Sequence, residues 1–379
     1  MMLNFILAFI FLFLLIHYII FLSRIYYGLL KLKKTNLQIL PDEFISVIIP
    51  FRNESENILT NLKSIENQDY PKNKFEVLYV NDFSDDDSVE LLLRNKSSEN
   101  IKVINVPKDF STNAHKKRAI RYGIENSNGE IVVTTDADCI YEKEWLRSLL
   151  ENFDHQTGFV SGPVEFIENK KLFSKIQKTE FAGLVLTGAG LIGSGQPTIC
   201  NAANIAYRKS SFDEVNGFKD NLNLSSGDDE FLMQKISRDT NFKVRFSLEE
   251  KSIVKTNVNK TFRDFYHQRK RWASKGLFYA DRSLVFKLIL IYFFYIGLVV
   301  QIPVAIFLST FFWLTLLNSV ILKFIVELLI MNKGRKILFK KLSLRTFLLT
   351  EILQIPYIIY AGLMGSFGNI FWKDRHLTR

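Results

Sequence analysis

Glu130-Ile-Val-Val-Thr-Thr-Asp-Ala-Asp-Cys139 is the stretch of sequence that decides the fold of this chain. Residues 131–133 are apolar and β-branched, which is typical of a strand buried on both faces. Asp136 and Asp138 follow this strand directly, and open α/β sheets bind ligands outside the carboxyl ends of their strands. Carboxylates beside substrate phosphates are ligands that Mg²⁺ and Mn²⁺ prefer. We therefore predict a divalent cation site here; the alternative is an acidic turn that starts a helix.

Three more apolar runs lie upstream and predict the rest of the sheet. Each run ends in a polar loop and continues into a helix, which is the pattern of βαβ units. The runs are Ile45–Pro50, Phe75–Val80 and Ile101–Val106. This alternation predicts an α/β fold with a doubly wound, mostly parallel sheet flanked by helices.

The loops after these strands should meet at one edge of the sheet. Glu54, Asp82 and Lys116 would then share a cleft with the Asp136/Asp138 pair. Neither Gly-x-Gly-x-x-Gly nor Gly-x-x-x-x-Gly-Lys follows any of the strands, which argues against a dinucleotide oxidoreductase and a P-loop phosphotransferase. Phosphates in the cleft would therefore be held by the cation and by basic side chains.

Long apolar stretches lie at both ends of the chain. Leu3–Leu22 carries no formal charge and is long enough to cross a bilayer, and Leu284–Ile330 is long enough for two helices. A further apolar stretch follows at 347–371. We predict a membrane anchor at 1–30, a soluble domain at 31–282 with an interfacial helix near 260–282, and a membrane region of two to three helices at 283–379.

Basic residues flank the apolar stretches. The loop at 333–345 and the segment that begins at Arg24 are rich in Lys and Arg, and the positive-inside rule places both in the cytoplasm. We therefore expect an integral membrane protein, of the bacterial inner membrane, whose soluble domain is cytoplasmic. The basic tail after Phe371 conflicts with a simple fourth crossing, so the last apolar segment is re-entrant or interfacial, or it breaks the rule. Contact of the basic residues with anionic lipid headgroups accounts for the formal net charge of +10. We therefore expect no nucleic-acid partner.

A series of short motifs resembles family 2 glycosyltransferases of the GT-A fold. The first half of the series is Val47-Ile-Ile-Pro-Phe-Arg-Asn-Glu54, Val80-Asn-Asp-Phe-Ser-Asp-Asp86, Lys116-Lys-Arg-Ala119 and the Asp136/Asp138 pair. The second half is Asn201-Ala-Ala-Asn204, Val215-Asn-Gly-Phe218, Gly227-Asp-Asp-Glu-Phe-Leu232 and Gln268-Arg-Lys-Arg-Trp272. The resemblance covers roughly residues 45–280. It is to membrane-anchored members with a Gln-x-x-Arg-Trp motif, similar to ceramide glucosyltransferase-like and polysaccharide synthase-like enzymes.

The resemblance implies a nucleotide-sugar donor and assigns residues that bind it. Asp82 would hydrogen-bond the pyrimidine, while Pro50, Arg52 and Glu54 shape that pocket. The alternative for Asp82 is helix capping. The family's Asp-Asp-Gly-Ser is Asn81-Asp-Phe-Ser84 here, so a residue with a side chain replaces the glycine.

The diphosphate and the cation are assigned to neighbouring residues. Lys116 would pair with the diphosphate. Asp138 would ligate the cation, and Asp136 would contact the ribose or the cation. Three basic neighbours of Lys116 are expected to form a solvated face: Lys117, Arg118 and Arg121.

Sugar transfer with inversion needs a base that takes the proton of the acceptor hydroxyl, and a positioned carboxylate suffices. The family places this Asp second in a Glu-Asp pair, so Asp229 is the candidate base. Asp228 is expected on the acceptor side, where it could raise the pKa of Asp229 by like-charge repulsion unless a cation opposes it. The alternative for residues 225–230 is a helix start, and both can hold.

Gln268, Arg271 and Trp272 are spaced so that they share one helix face. Arg271 would neutralise the leaving diphosphate, with Gln268 also on the donor side, and Trp272 would give the acceptor an apolar platform. The alternative is an amphipathic helix on the membrane, with Arg269 and Lys270 toward the headgroups. We expect both roles for this helix.

Residues 181–197 are apolar and interrupted by glycines. We expect an element that touches the acceptor or the membrane; the alternative is a loop beside the sheet.

These features predict an inverting, cation-dependent hexosyltransferase. The donor is expected to be a UDP-sugar, and the acceptor a lipid or lipid-linked molecule at the cytoplasmic face. A processive polysaccharide synthase with a glycan acceptor is the second candidate, because the predicted spans are few for a polymer channel. A nonenzymatic nucleotide-sugar sensor or membrane scaffold is the alternative of another class.

Overall fold

A mixed β-sheet forms the centre of the soluble part. The computed structural model describes residues 1–34, 43–110, 114–219, 227–367, 370–372 and 375–377. The strands within these residues are β1 (Ile45–Phe51), β2 (Phe75–Asn81), β3 (Ile101–Asn105), β4 (Ile131–Thr134), β5 (Thr157–Ser161), β6 (Val164–Ile167), β7 (Ile205–Arg208), β8 (Lys243–Phe246), β9 (Val254–Asn257), β10 (Ile370–Trp372) and β11 (Arg375–Leu377). The main sheet has the order β3-β2-β1-β4-β7-β5-β8, while β6 pairs with β9 and β10 with β11.

The predicted mostly parallel sheet is confirmed, and its register brings the strand ends together. Strand β1 lies between β2 and β4 and runs parallel to both, with Ile45 opposite Phe75 and Ile131. These three strands are buried almost throughout, which explains their apolar sequences. Their carboxyl ends therefore lie side by side at one edge.

Strand β7 is the exception, since it runs antiparallel to both β4 and β5. It therefore begins at the edge where β4 ends, and the preceding residues 201–204 reach that edge as well. This departure from a purely parallel sheet adds a second loop to the cleft.

Helices cover the sheet and continue into an apolar bundle. The helices of the soluble part are α2 (Ile58–Glu66), α3 (Ser88–Asn95), α4 (His115–Glu125), α5 (Trp145–Leu150), α6 (Leu172–Gly193), α7 (Lys209–Glu214), α8 (Glu230–Asp239) and α9 (Phe262–Ala273). The long apolar helices are α1 (Met2–Lys31), α10 (Arg282–Phe307), α11 (Phe311–Ile337) and α12 (Phe347–Phe367). Among the described residues these four are long and apolar enough to cross a membrane.

Residues 181–197 form a helix over most of their length, so the alternative of a loop beside the sheet was wrong. They belong to α6, which packs against α1, α11 and α12. The glycines do not loosen this segment; they allow close helix contact, because a Cβ on Gly190 would collide with the backbone of Ile25. The backbones of Gly28 and Gly193 approach each other in the same way. Helix α1 is thus packed tightly on α6.

Candidate active site

Asp136 and Asp138 lie just past the end of β4, at the edge where β1 and β2 also end. Both side chains are partly exposed, while Ala137 between them is buried, as expected for extended backbone. Asp136 Oδ1 accepts a hydrogen bond from Lys116 Nζ at 2.5 Å. Asp138 Oδ2 lies 3.3 Å from the Thr256 hydroxyl, which donates to it. The two carboxylates therefore border one cleft.

The two carboxylates fit a divalent cation that binds together with a diphosphate. Within the described residues, no group of three or more His, Cys, Asp or Glu side chains is arranged to hold a metal ion. Mg²⁺ nonetheless commonly binds to only one or two protein carboxylates, while phosphates and waters fill its remaining coordination positions. Asp136 and Asp138 can supply these carboxylates.

Lys116 connects the Asp136/Asp138 pair with the second acidic pair of the cleft. Its Nζ lies 3.7 Å from Asp228 Oδ2 in addition to its bond with Asp136. Burial opposes the charge of this ammonium, but Asp136 and Asp228 outweigh the burial and hold the pKa of Lys116 above its usual value. A permanent positive charge at this point suits a diphosphate.

Arg118 and Lys117 are buried, so their assignment to a solvated basic face was wrong. Arg118 donates to the carboxylate of Asp82 through Nε, at 3.1 Å, and through Nη2. Lys117 lies over the ring of Phe231, and burial lowers its pKa to about 8. Arg121 does remain at the surface, where it pairs with Glu125. Contacts with Phe231 and Asp82, which lie far away in the sequence, bury these two side chains, and a basic sequence run alone does not reveal such burial.

The loop after β2 keeps the backbone shape that a glycine would favour. Phe83 has a φ of 60°, in the left-handed region where glycine is common. Arg52 Nη1 donates to the carbonyl oxygens of Phe83 at 2.5 Å and Asp82 at 3.2 Å, and Arg118 stacks on the Phe83 ring. The arginines thus hold a conformation that the substitution of glycine makes costly.

Pro50 and Glu54 belong to the same region of the sheet edge. Pro50 lies in β1 opposite Val80 of β2. Glu54 accepts a hydrogen bond from Asn57 at 2.8 Å, and its backbone N–H donates to the Ser88 hydroxyl at 2.8 Å. These contacts shape the loops around Asp82.

Asp229 is fixed in position by the start of α8. Its Oδ1 accepts from the backbone N–H of Glu230 at 2.8 Å, and its Oδ2 accepts from that of Ala202 at 2.9 Å. It is the N-cap residue of α8, so the helix-start interpretation is confirmed. Asp228 next to it is buried, and its Oδ2 has no hydrogen-bond partner among the described residues.

Lys275 is a member of this cleft that the sequence reasoning missed. Its Nζ lies 3.6 Å from Asp229 Oδ1 and 3.1 Å from Glu230 Oε1. Burial favours a raised pKa for Asp229, but Lys275 and the Glu230 N–H outweigh it, so the pKa is lowered. The positive charge of Lys275 thus opposes any rise that Asp228 could cause in the pKa of Asp229. The signal available in the sequence was the spacing of Lys275 four residues after Arg271.

Glu230 is the group in this cleft that titrates near neutrality. Burial raises its pKa to about 7, although Lys275 opposes the shift. Its Oε2 accepts a hydrogen bond from the Tyr279 hydroxyl at 2.6 Å. A change in the charge of Glu230 near neutral pH would therefore act on the neighbouring Asp229.

The residues predicted on one face of α9 do face the cleft. Gln268, Arg271 and Trp272 all border the same cavity as Asp136 and Asp138. Gln268 Oε1 accepts from Asn259 Nδ2 at 3.0 Å, which orients the amide. Burial lowers the pKa of the Arg271 guanidinium slightly, and four nearby carboxylates, Asp136 and Asp228 first among them, oppose this.

Arg269 does not point toward lipid headgroups, which corrects the prediction made for it from the sequence. It is buried, forms an ion pair with Glu180 of α6 and lies over the rings of Phe265 and Trp272. The Tyr357 hydroxyl of α12 donates to the same Glu180 at 2.6 Å. The Arg269 pair therefore fastens α9 to α6 and α12.

A single cavity of about 880 Å³ joins these groups to the apolar helices. At one end it is lined by Lys116, Asp136, Asp138, Asp228, Asp229, Gln268, Arg271, Trp272 and Lys275. At the other end it is lined by α1, α10, α11 and α12. Pro50, Arg52, Glu54 and Asp82 lie outside its lining, beside it on the sheet edge.

Two family models match this chain. The model described as glycosyl transferase family 2 matches residues 46–215, and that described as glycosyl transferase family group 2 matches residues 131–367. The second match spans more than half of the chain and includes both acidic pairs, α9 and the apolar helices that follow. The chain is a family 2 glycosyltransferase.

Curated relatives resemble this glycosyltransferase at modest identity. A poly-beta-1,6-N-acetyl-D-glucosamine synthase of Staphylococcus epidermidis is 26% identical over 282 residues, which cover 69% of this chain and 64% of the relative. Glycosyltransferase AglE of Haloferax volcanii is 28% identical over 188 residues, which cover 49% of this chain and 59% of the relative. This chain thus spans a little under two thirds of the length of these relatives.

A solved structure supports the fold of the glycosyltransferase. The mannosyltransferase PcManGT of Pyrobaculum calidifontis, in complex with GDP-Man and Mn²⁺, aligns over 95% of this chain and 98% of its own, with a TM-score of 0.59 and 18% identity. At this identity the likeness concerns the fold. The GT-A architecture expected from the motif series is therefore confirmed.

Proposed function

We propose that this glycosyltransferase transfers one sugar, with inversion, from a UDP-sugar to a hydroxyl of a lipid or lipid-linked acceptor. The observation that carries the proposal is the continuous cavity between the acidic pairs and the apolar helices. A donor bound at Asp136 and Asp138 and an acceptor that enters from the membrane would meet at Asp229.

The donor would be held by charge at its diphosphate. Asp138 and Asp136 would hold a Mg²⁺ or Mn²⁺ ion, which when bound supplies positive charge at the phosphate oxygens. Lys116 and Arg271 face the same end of the cavity and would add to that charge as the nucleotide leaves. Asp82, fixed by Arg118, would receive the pyrimidine, with Pro50, Arg52 and Glu54 shaping the pocket.

Asp229 would act as the base for the acceptor hydroxyl. Its lowered pKa keeps it ionised, and its two backbone hydrogen bonds fix the direction of the carboxylate. Asp228 lies next to it and has an oxygen that can accept a hydrogen bond from a hydroxyl of the acceptor substrate. Trp272, whose ring lies 5.8 Å from that of Phe181, would form an apolar wall for the acceptor.

We place the active site at the cytoplasmic face of a bacterial inner membrane. The Lys and Arg residues after α1 and after α11 support this orientation. Helix α12 contacts the soluble part near both ends: Thr346 lies 2.9 Å from Thr179 of α6, and Gly365 abuts Lys270 of α9. This favours an interfacial α12, which leaves the basic tail on the cytoplasmic side.

A processive polysaccharide synthase is the second candidate. The name of the Staphylococcus epidermidis relative favours it. The cavity argues for the lipid acceptor, because its described lining stops at Tyr18 in α1 and Tyr295 in α10, about midway along both helices. A polymer channel would require lining along their other halves.

Membranes that contain the protein, supplied with labelled nucleotide sugars and Mg²⁺ or Mn²⁺, test the proposal. Label in the lipid extract that is lost with EDTA supports it. Label in a long water-soluble polymer would favour the synthase. Donor binding without transfer or hydrolysis would instead indicate a nonenzymatic sensor.

A further inference from the structure

The four apolar helices contribute side chains to one polar group, which we name the four-helix polar cluster. Its members are Tyr18 of α1, Tyr295 of α10, Lys323 and Glu327 of α11, and Glu351 and Gln354 of α12. Polar groups within apolar helices are costly and commonly mark the path of a substrate.

Hydrogen bonds connect the cluster around the Lys323 ammonium. Lys323 Nζ donates to Glu327 Oε2 at 3.0 Å, to Gln354 Oε1 at 3.1 Å and to Glu351. The Tyr18 hydroxyl donates to Glu327 Oε1 at 2.5 Å and lies 2.9 Å from the Tyr295 hydroxyl. One ammonium thus meets two carboxyl groups, and its charge balances one carboxylate when the other carboxyl group holds a proton.

The hydrogen-bond acceptors of this cluster line the cavity, whereas its cation, Lys323, does not. Tyr18, Tyr295, Glu327, Glu351 and Gln354 line the same cavity as the acidic pairs of the active site. The Lys323 side chain is only 3% exposed and is absent from the described lining. A bound molecule would therefore find carboxylates, hydroxyls and an amide.

This chemistry selects among possible acceptors. A lipid phosphate would find no cation of the cluster in the described lining of the cavity, and burial of its charge without such a partner costs free energy. A hydrocarbon tail would cover the polar groups without bonding to them, which costs free energy. Sugar hydroxyls can donate to Glu327 and Glu351, while Phe21 and Phe347 nearby offer apolar contact.

We propose that the four-helix polar cluster binds a sugar of the acceptor, adjacent to the attacked hydroxyl. The acceptor is then an uncharged glycosylated molecule and not a lipid phosphate or an unglycosylated lipid. The inference rests on the proposed function, since it assumes that an acceptor occupies this cavity. A glycolipid and a free oligosaccharide share the required chemistry.

Acceptor competition with the purified full chain in detergent tests the inference. The donor is the nucleotide sugar that the protein hydrolyses without acceptor, and the acceptors are monoglucosyl diacylglycerol, a short free oligosaccharide, diacylglycerol and a polyprenyl phosphate. We expect kcat/KM for a glycosylated acceptor to exceed that of the last two by at least about tenfold, the value of one charged hydrogen bond. The better of the first two identifies the source of the sugar.

Two conservative variants locate the effect in the cluster. Glu327→Gln, which neutralises the carboxylate that accepts from both Tyr18 and Lys323, and Tyr18→Phe should each raise KM for the glycosylated acceptor by about tenfold while donor hydrolysis stays unchanged. Glu56→Gln is the matched control, because Glu56 pairs with Lys260 on the surface at 2.9 Å and is 78% exposed. Thermal melting of each variant separates lost binding from lost folding.

Two results would overturn the inference alone: a preference for diacylglycerol or polyprenyl phosphate, or unchanged acceptor KM in both folded variants. Absence of donor hydrolysis and of transfer to every acceptor would overturn the proposed function as well. Donor hydrolysis without acceptor thus tells the two failures apart.

Discussion

Arg118 and Asp82 form an ion pair that is almost completely shielded from water, with side-chain exposures of 11% and 6%. Two N–H groups of Arg118 donate to one carboxylate oxygen of Asp82. Helix α4 therefore fixes Asp82, the residue that we assign to the pyrimidine of the donor. The charge pair also connects the donor pocket to Lys116, two residues earlier on the same helix.

Replacement of Arg118 by Met should destabilise the protein and weaken donor binding. It leaves the Asp82 carboxylate buried without its guanidinium, which costs about 3–5 kcal/mol of unfolding free energy. Donor KM should rise as well, because Asp82 loses its fixed orientation. Chemical unfolding and donor titration of the solubilised protein measure the two effects.

A double variant, Asp82→Asn with Arg118→Met, should recover part of the lost stability but not the donor affinity. Arg121→Met on the exposed side of α4 is the matched control and should change both quantities little. Equal effects of the Arg118 and Arg121 substitutions would contradict the assignment.

The carboxylates assigned to the cation and to the base should each be indispensable for turnover. Asp138→Ala and Asp229→Ala should each lower kcat by at least about a hundredfold, as loss of a positioned base or of transition-state charge does. Radiolabel transfer measures the loss, and the protein should still be found in membranes.

Asp69→Asn serves as a carboxylate control, since Asp69 is about half exposed and 4.0 Å from Arg147. The site assignment fails if both Asp138→Ala and Asp229→Ala remain active. A lost Mn²⁺ response in Asp138→Asn, with donor binding retained, would separate the cation role from the base role.

Glu230 should give the enzyme a pH dependence near neutrality, because its pKa is about 7. As Glu230 ionises, it competes for Lys275 and adds negative charge beside Asp229, which makes Asp229 a stronger base. We expect kcat to rise between about pH 6 and about pH 8, and Glu230→Gln to remove this rise.

Stability should move in the opposite direction. The folded-state pKa of Glu230 is above its ordinary value of 4.5, so the stabilising proton is fully bound below that value and is lost as the pH rises through about 7. The melting temperature of the wild type should therefore fall relative to that of Glu230→Gln over this range. The exposed Glu125→Gln should show no such divergence, and a parallel course for Glu230→Gln would refute the shift.

An interfacial α12 predicts the labelling of single cysteines in intact cells. Thr310→Cys, between α10 and α11, should react with a membrane-impermeant maleimide. Ser343→Cys and Arg375→Cys should react only after the cells are permeabilised, because both would be cytoplasmic. Reaction of Arg375→Cys in intact cells would show that α12 crosses the bilayer, and the unsubstituted protein controls for Cys139 and Cys200.

The sequence predicted those parts of the molecule that depend on local patterns. Buried strands such as Ile131–Thr134 have an apolar signature, and the residues that follow them at the sheet edge are placed by topology alone. Local patterns did not reveal which side of a helix is covered by a distant segment. Arg118, Arg269 and Lys275 were misjudged or missed for this reason, since their partners Asp82, Glu180 and Asp229 lie far from them in the sequence.

The same limit explains the misjudged helix α6 and the four-helix polar cluster. Glycines such as Gly190 are typical of loops in isolation, and only the presence of α1 turns them into a contact surface. Lys323 and Glu351 stand 28 residues apart on different helices. Their meeting follows from the packing of the bundle, which no periodicity encodes.

The contact of Gly28 with Gly193 has a consequence for the reach of the enzyme. An anchor joined through a flexible tether would let the catalytic groups sample many heights above the lipid surface. Here α1 packs closely on α6, so we expect Asp229 to keep a constant height above the bilayer. Glycosylation would then require an acceptor whose reactive hydroxyl projects to that height, and α1 would set the length of the substrate.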